Sequence, residues 1–268
     1  MASRSWYNVT MDLHKPNINT LIFTDLDGTL LDHDTYSCDA ALPMLSYLKT
    51  YDIPLVIVTS KTATEVRAIQ KKLNLYTPAI VENGAGIIDG ETLEPLGKEY
   101  AVIREAFKRY ALEFDIIGFD DMSFEEVAHY TALPIERARG AKVRDFCEPF
   151  IMHDAHRIDA LKAKADADGL EIVQGGRFYH LITKGQDKAS AIKMLWHRYE
   201  ESAACNYTTL ALGDGANDIT MLQSVNVPFL IPKKDGSYLD CDISGLIKAP
   251  YPGPQGWNSV LKEYFHVT

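Results

Sequence analysis

The chain has 268 residues, of which 46% are hydrophobic and 24% charged, a composition that excludes disordered, collagen-like and coiled-coil proteins. Its 27 basic and 37 acidic residues give a formal net charge of −10, which argues against a nucleic-acid or anionic-membrane partner, because those surfaces attract lysine and arginine. If the substrate is itself an anion, positive charge must be gathered locally or supplied by a bound cation.

The four cysteines contain no CxxC pair, and a chain of this length can bury a core without disulfides. Residues 1–17 are mixed and polar and lack the apolar stretch of a signal peptide. The longest apolar runs, such as 53–58, are too short to cross a bilayer. We therefore expect reduced thiols and a cytoplasmic protein without a membrane segment.

The first part of the chain alternates short apolar runs with amphipathic segments. Apolar runs at 20–23, 53–58 and 79–81 predict buried strands. Segments 40–50 and 63–75 carry apolar residues three and four positions apart, which predicts helices between those strands. Continuous apolar strands that alternate with helices indicate a parallel sheet covered on both faces.

The pattern changes near residue 89, after which the segments are longer, more charged and less regular. Helices are predicted there at 101–114, 124–131 and 157–168, and strands at 149–154 and 170–181. The alternation returns at residue 188, with helices predicted at 189–199 and 218–224 and strands at 208–212 and 227–231. The stretch 250–257, rich in proline and glycine, is predicted to be an ordered loop or turn.

This alternation predicts an α/β protein whose core is a doubly wound, Rossmann-like parallel sheet interrupted by one insertion. The core domain would comprise residues 1–88 and 186–268. Residues 89–185 would form an inserted α/β cap domain.

Two acidic clusters follow predicted core strands. Asp25 and Asp27 end the first strand, where alternate residues point to the same side. Asp214, Asn217 and Asp218 lie in a GDGAND stretch after a later strand. Ligands of open parallel sheets bind beyond the carboxyl ends of the strands, so we expect both clusters in one crevice. Four carboxylates there would repel one another without a cation, and such oxygen ligands are typical of a Mg²⁺ site.

Each acidic cluster alone has a simpler interpretation, because a single Asp-Gly pair is commonly a solvated turn. The first cluster is not an EF-hand loop, since Tyr36 stands where that loop requires glutamate. The sequence contains neither a P-loop motif nor GxSxG. The shared position of the two clusters at strand ends favours the cation site.

Ser60 and Lys188 complete a predicted phosphate site. Ser60 ends the second strand, where its hydroxyl and neighbouring N–H groups can hold phosphoryl oxygens. Lys188 opens a predicted helix. Taken alone, each has a simpler interpretation, as an N-cap serine and a solvated lysine, but beside the carboxylates the phosphate site is favoured.

In this order, the four pieces resemble the motifs of the haloacid dehalogenase (HAD) phosphatase superfamily. DLDGT at 25–29 matches its first motif, Ser60 its second, Lys188 its third and GDGAND at 213–218 its fourth. The insertion resembles the α/β cap of the Cof-like branch. Within that branch, the stretches DLDGTLLDHDTYS, SKT, VENGAGI, GGRFYHL and GPQGW resemble the mannosyl-3-phosphoglycerate phosphatases.

The resemblance implies a phosphomonoester hydrolase that forms an aspartyl phosphate. Asp25 would attack phosphorus, and Asp27 would protonate the leaving alkoxide and then activate water. Mg²⁺ would be held by Asp25, the backbone carbonyl of Asp27 and Asp214, with Asp218 as a further ligand or directly behind them.

The resemblance also implies how the rest of the substrate is held. Ser60, Lys188 and Asn217 would hold the transferring oxygens in line. Segment 137–144 has four basic residues and no acid, and we leave open whether it is a solvated helix face or receives an anion. Candidate contacts of the predicted cap and facing loops are Lys61, Asn83, Gly84, Arg144, Gly176 and Arg177, with Arg177 preferred for a carboxylate or sugar.

The expected partner is a small phosphorylated substrate. Within the superfamily, glucosyl-3-phosphoglycerate and other sugar phosphates remain alternatives to the mannosyl compound. A phosphomutase would share the aspartyl phosphate, and a phospho-accepting signalling module would share the acidic pocket. Asp27, placed to hydrolyse an acyl phosphate, and the large insertion favour a hydrolase over the signalling module.

Overall fold

A computed structural model describes residues 19–175 and 178–267 of the chain. The strands are β1 Thr20–Thr24, β2 Leu55–Val58, β3 Ala79–Val81, β4 Gly86–Asp89, β5 Thr92–Pro95, β6 Ile116–Gly118, β7 Glu148–Met152, β8 Leu170–Gly175, β9 Phe178–Thr183, β10 Thr208–Gly213, β11 Val227–Leu230 and β12 Ile247–Lys248. The helices are α1 Leu42–Thr50, α2 Ala63–Leu73, α3 Tyr100–Tyr110, α4 Phe124–Thr131, α5 Ile135–Ala141, α6 Ile158–Ala167, α7 Lys188–Ala203, α8 Ile219–Gln223 and α9 Gly253–Tyr264. No helix among these described residues is long and apolar enough to cross a membrane.

Eight strands form the larger sheet, in the order β12-β11-β10-β1-β2-β3-β4-β5. The strands from β12 to β3 run parallel, and β4 and β5 are antiparallel to their neighbours. In the centre, Thr24 of β1 pairs with Leu212 of β10 and Ile57 of β2. The residues that follow these three strands therefore share one edge of the sheet, and the predicted α/β fold with a doubly wound core is confirmed.

Helices cover both faces of the larger sheet, because neighbouring residues of its strands point to opposite sides. Ile22 of β1 belongs to a buried cluster with Met44 of α1 and Trp257 of α9. Phe23, the next residue, belongs to the cluster on the other face with Ile192 of α7. A strand buried on both faces is apolar throughout, which explains the uninterrupted apolar run in the sequence.

The smaller sheet has four antiparallel strands in the order β6-β7-β9-β8, and with α3 to α6 it forms the part of the molecule that we call the cap. Helices α3 and α6 share a buried cluster with this sheet through residues such as Phe107 and Leu161. The sequence prediction missed β6 and α5, and the single strand predicted over 170–181 was wrong, because β8 and β9 pair there as two antiparallel strands. Strand β6 has three residues, and the buried residues of α5 are only Ala138 and Ala141, so neither carries a strong apolar periodicity.

The hairpin of β4 and β5 belongs to the larger sheet, although the predicted cap domain begins at residue 89. Asp89 pairs with Thr92, and the sheet continues to Pro95. Strand β5 lies at the edge of the sheet and is short and partly polar, so its sequence reads as irregular. The division of the chain into two domains stays a prediction.

The prediction of a loop over 250–257 was wrong for its second half, where α9 begins at Gly253. Pro254 occupies the first turn, in which a missing N–H removes no helical hydrogen bond. At Gly256, any Cβ would collide with the carbonyl oxygen of Tyr251. Trp257 is fully buried, and its Nε1 donates to Thr24 Oγ1 at 3.0 Å, which ties α9 to the end of β1.

We predict that Trp257→Phe lowers the free energy of unfolding by about 1–3 kcal/mol, because it loses this hydrogen bond and leaves a small cavity. Trp196→Phe on α7 is the matched control, since Trp196 Nε1 has no hydrogen-bond partner among the described residues. Denaturant unfolding of both variants measures the difference. A loss for Trp196→Phe as large as that for Trp257→Phe would contradict the anchoring role.

Candidate active site

The loops after β1, β2 and β10 meet at one edge of the larger sheet, beneath the cap. Between them lies a cavity of about 220 Å³. The predicted site residues on its floor are Asp25, Asp27, Ser60, Lys61, Asp214 and Asn217. Three separate stretches of the chain therefore contribute to one cleft, as expected for the carboxyl ends of parallel strands.

Lys188 lies just below this floor and is fully buried. Its Nζ donates to Asp25 Oδ1 at 2.7 Å, to Asp218 Oδ1 at 2.6 Å and to the Val58 carbonyl at 3.1 Å. Burial alone would lower the pKa of Lys188, but the charges of Asp218 and Asp25 outweigh it and raise the pKa. The interpretation as a solvated lysine is therefore wrong, and a fixed positive charge joins the two acidic clusters.

Asp218 is fully buried, and both of its carboxylate oxygens have partners. Oδ1 accepts from Lys188, and Oδ2 accepts from the backbone N–H groups of Asp214 and Gly215, each at 3.0 Å. Gly213 leaves room for this side chain, since a Cβ there would lie 2.6 Å from Asp218 Cβ. Asp218 therefore fixes the shape of the loop that carries Asp214.

Asp25, Asp214 and Asp218 each present a carboxylate oxygen within 4.8 Å of the other two. Burial, followed by the charge of Asp218, raises the pKa of Asp214 to about 7 and the pKa of Asp25 well above its ordinary value. Thr29 Oγ1 donates to Asp214 Oδ1 at 3.2 Å. One lysine does not balance three carboxylates, so this donor set fits a hard divalent cation.

Asp27 is separated from this acidic group. Its Oδ2 forms an ion pair with Lys61 Nζ at 2.7 Å, while its buried Oδ1 has no hydrogen-bond partner among the described residues. The Asp27 side chain is 36% exposed, and that of Lys61 is 10% exposed. The carboxylate of Asp27 is thus available to the cavity and is not committed to the acidic group.

The remaining predicted contacts differ in their position. Asn83 is buried and lines a neighbouring cavity with Lys188 and Asn217, not the one that holds Ser60. Gly84 packs against the start of α7, where a Cβ would collide with the carbonyl oxygen of Asp187. Gly176 and Arg177 lie outside the described residues.

A family model of haloacid dehalogenase-like hydrolases matches residues 22–232. The chain belongs to this family. A relative from Persephonella marina is 46% identical over 90% of this chain and 95% of its own length, and one from Methanococcoides burtonii is 38% identical over 91% and 96%. Both are named glucosyl-3-phosphoglycerate/mannosyl-3-phosphoglycerate phosphatase. The protein is accordingly a phosphatase of the haloacid dehalogenase-like hydrolases.

Solved structures share the fold at low identity. Thermoplasma acidophilum 0175 has a TM-score of 0.70 at 18% identity, covering 93% of this chain and 99% of that protein. Sucrose-phosphatase from Synechocystis has a TM-score of 0.63 at 16% identity, covering 92% and 98%. These structures support the arrangement of a Rossmann-like sheet with a cap and nothing more specific.

The arginines of the basic segment 137–144 do not all fit one of the two interpretations that the sequence left open. Arg144 is half-buried on the cavity roof, and its Nη1 donates to the Ser60 carbonyl at 2.9 Å. Arg137 lies over the ring of Tyr36, with 5.1 Å between the guanidinium carbon and the ring centroid. The Arg139 side chain is 52% exposed. The sequence prediction included Arg144 but missed a second polar residue on the roof, His180.

We predict opposite effects of Asp214→Asn with and without a divalent cation. Because the folded-state pKa of Asp214 is raised, the stability present at low pH is lost as pH rises through about 7 in the cation-free protein. With a chelator, the variant should therefore melt above wild type at about pH 8, and by a smaller margin at about pH 5.

Added Mg²⁺ should raise the melting temperature of wild type much more than that of Asp214→Asn. Thermal unfolding at both pH values, with chelator or Mg²⁺, measures all four conditions. Equal Mg²⁺ stabilisation of the two proteins would contradict a cation site at Asp214.

Proposed function

We propose that this phosphatase hydrolyses a glycosyl-3-phosphoglycerate, with the mannosyl compound as the principal substrate, and that it requires Mg²⁺. The observation that carries the proposal is the placement of Asp25. Its carboxylate lies on the cavity floor, 2.7 Å from a buried lysine and among residues suited to hold a phosphoryl group. The names of the relatives, which align over nearly their full length, support the choice of a phosphoglycerate ester.

Asp25 acts as the nucleophile in this proposal. One oxygen, Oδ1, is held by Lys188, which fixes the orientation of the carboxylate. The other oxygen forms a bond to phosphorus, and the bond between phosphorus and the glycerate oxygen breaks. Ser60 and Asn217, which line the same cavity, hold the phosphoryl oxygens during this transfer.

Asp27 handles the protons. In its protonated form it gives its proton to the departing glycerate oxygen, and the resulting carboxylate then accepts a proton from the water that attacks phosphorus and releases Asp25, which restores the acid. Lys61 is paired with Asp27 through a short ion pair, and the substrate anion offers this lysine a second partner in the cavity. Lys61 would thus keep Asp27 positioned until an anion enters.

Mg²⁺ would be held by Asp25 and Asp214, with Asp218 behind them and the backbone carbonyl of Asp27 as a further ligand. The three clustered carboxylates and their raised pKa values support this donor set. When bound, the cation offsets the repulsion between the anionic nucleophile and the anionic phosphoryl group. The remaining ligands would be water, as is usual for Mg²⁺.

The test is phosphate release from mannosyl-3-phosphoglycerate, glucosyl-3-phosphoglycerate and a panel of hexose phosphates, with Mg²⁺ or a chelator. We expect the highest kcat/KM on the glycosyl-3-phosphoglycerates, loss of activity with the chelator, and no activity of Asp25→Asn on any substrate. Much faster hydrolysis of hexose phosphates would contradict the substrate proposal and leave the chemistry intact. Transfer of the phosphoryl group to a sugar instead of water would indicate a mutase.

A further inference from the structure

The roof of the cavity is mostly apolar. Its apolar side chains belong to Phe119, Leu133, Ala141, Pro149 and Phe178. Three polar side chains interrupt this surface: Thr131, Arg144 and His180. The Thr131 hydroxyl already donates to the Val127 carbonyl at 2.6 Å. Arg144 and His180 are therefore the roof residues whose polar atoms need explanation.

Arg144 is held in place, but none of the residues that the structure describes forms an ion pair with it. Nε donates to the Ala141 carbonyl at 2.7 Å, and Nη1 donates to the Ser60 carbonyl at 2.9 Å and approaches Cys147 Sγ at 3.6 Å. Within the described ranges, Nη2 has no hydrogen-bond partner and the guanidinium forms no ion pair.

Glu82 is the carboxylate whose charge acts most strongly on Arg144, but its oxygens already accept other hydrogen bonds. The donors are the backbone N–H groups of Asp145, at 2.8 Å, and Phe146, at 3.1 Å. A partly buried guanidinium whose charge lacks a direct partner is unfavourable, so an anion in the cavity would stabilise it.

His180 stands on β9, in the centre of the cap sheet, and is 5% exposed. Burial, with a smaller contribution from Arg144, lowers the pKa of His180 to about 3. The imidazole is therefore neutral at physiological pH and carries one N–H donor. Its Nδ1 is buried and has no hydrogen-bond partner in the part of the chain that the structure describes.

We propose that Arg144 and His180 form the site that binds the carboxylate of the substrate's glycerate portion. The inference rests on the proposed function, because among the substrates compared above only the glycosyl-3-phosphoglycerates carry a carboxylate close to the phosphoryl group. Arg144 supplies the charge and His180 a hydrogen bond. Since Arg144 is anchored to the Ser60 carbonyl, the carboxylate site and the predicted phosphate loop are held in fixed register.

The short glycerate unit suits a cavity in which the floor binds one anionic group and the roof binds another. Two carbon atoms separate its carboxyl carbon from the oxygen that carries phosphorus, so both anionic ends can occupy one small cavity. The floor already offers Ser60 and Asn217 to the phosphoryl group, with Lys188 behind Asp25, while the roof offers Arg144 and His180 to a second anion. A hexose phosphate has no carboxylate that Arg144 and His180 could bind.

The test compares mannosyl-3-phosphoglycerate with the analogue in which a carboxamide replaces the carboxylate. We expect wild type to favour the acid by about tenfold or more in kcat/KM, as a charge-assisted hydrogen bond implies. His180→Ala should reduce that preference by about tenfold, mainly through KM, and change p-nitrophenyl phosphate hydrolysis less than about twofold. His153→Ala, an exposed cap histidine outside the cavity, is the control and should keep the full preference.

Arg144→Lys provides a second variant, because it keeps a charge but loses the fixed fork of the guanidinium. It should also lose the preference for the acid. Equal losses on acid and amide in His180→Ala, or a wild type that does not distinguish the two, would overturn the carboxylate site. A wild type that hydrolyses hexose phosphates but neither phosphoglycerate ester would instead reject the proposed function, and the carboxylate site with it.

Discussion

The site depends on the hydrogen bonds and ion pairs that the buried ammonium group of Lys188 forms. It joins Asp25 after β1, Val58 at the end of β2 and Asp218 after β10, so one side chain holds three strand ends together. Lys188 and the two carboxylates stabilise one another, because removal of the lysine would leave Asp25 and Asp218 as buried charges without compensation. The negative charge that remains unbalanced favours a cation, and a cation would in turn make the cleft suitable for a phosphate ester.

The strands of the core could be predicted from the sequence because they are buried on both faces. Such strands read as continuous apolar runs, and the acidic motifs that follow them mark the carboxyl edge of the sheet. The prediction failed where local signals conflicted with tertiary contacts. Proline and glycine at 250–257 indicate a turn, yet burial of Trp257 against Thr24 stabilises a helix there. Strand β5 is too short and polar to be recognised without its partner β4.

The site could be predicted in part for a similar reason. Asp25 and Asp214 belong to local motifs at strand ends, whereas the functional meaning of His180 depends on the packing of the cap above the core. A single histidine in a half-apolar strand carries no signal of its own. Its neutral state, and an Nδ1 without a hydrogen-bond partner among the residues that the structure describes, emerge only when β9 is placed beside Arg144 over the cavity. The proposed recognition by the cap therefore depends on long-range contacts of the fold, while the residues proposed for the chemistry of the floor lie in local motifs.

The central claim is that Asp25 carries the phosphoryl group during turnover, and trapping tests it most directly. Asp27→Asn mixed with p-nitrophenyl phosphate, whose leaving group departs without being protonated, and Mg²⁺, then quenched in acid and digested, should yield a phosphorylated peptide with the modification on Asp25, because hydrolysis of the intermediate is slowed. Asp25→Asn treated in the same way should yield none. Phosphate on a different residue, or an Asp25 peptide that stays unmodified while wild type turns over, would contradict the account.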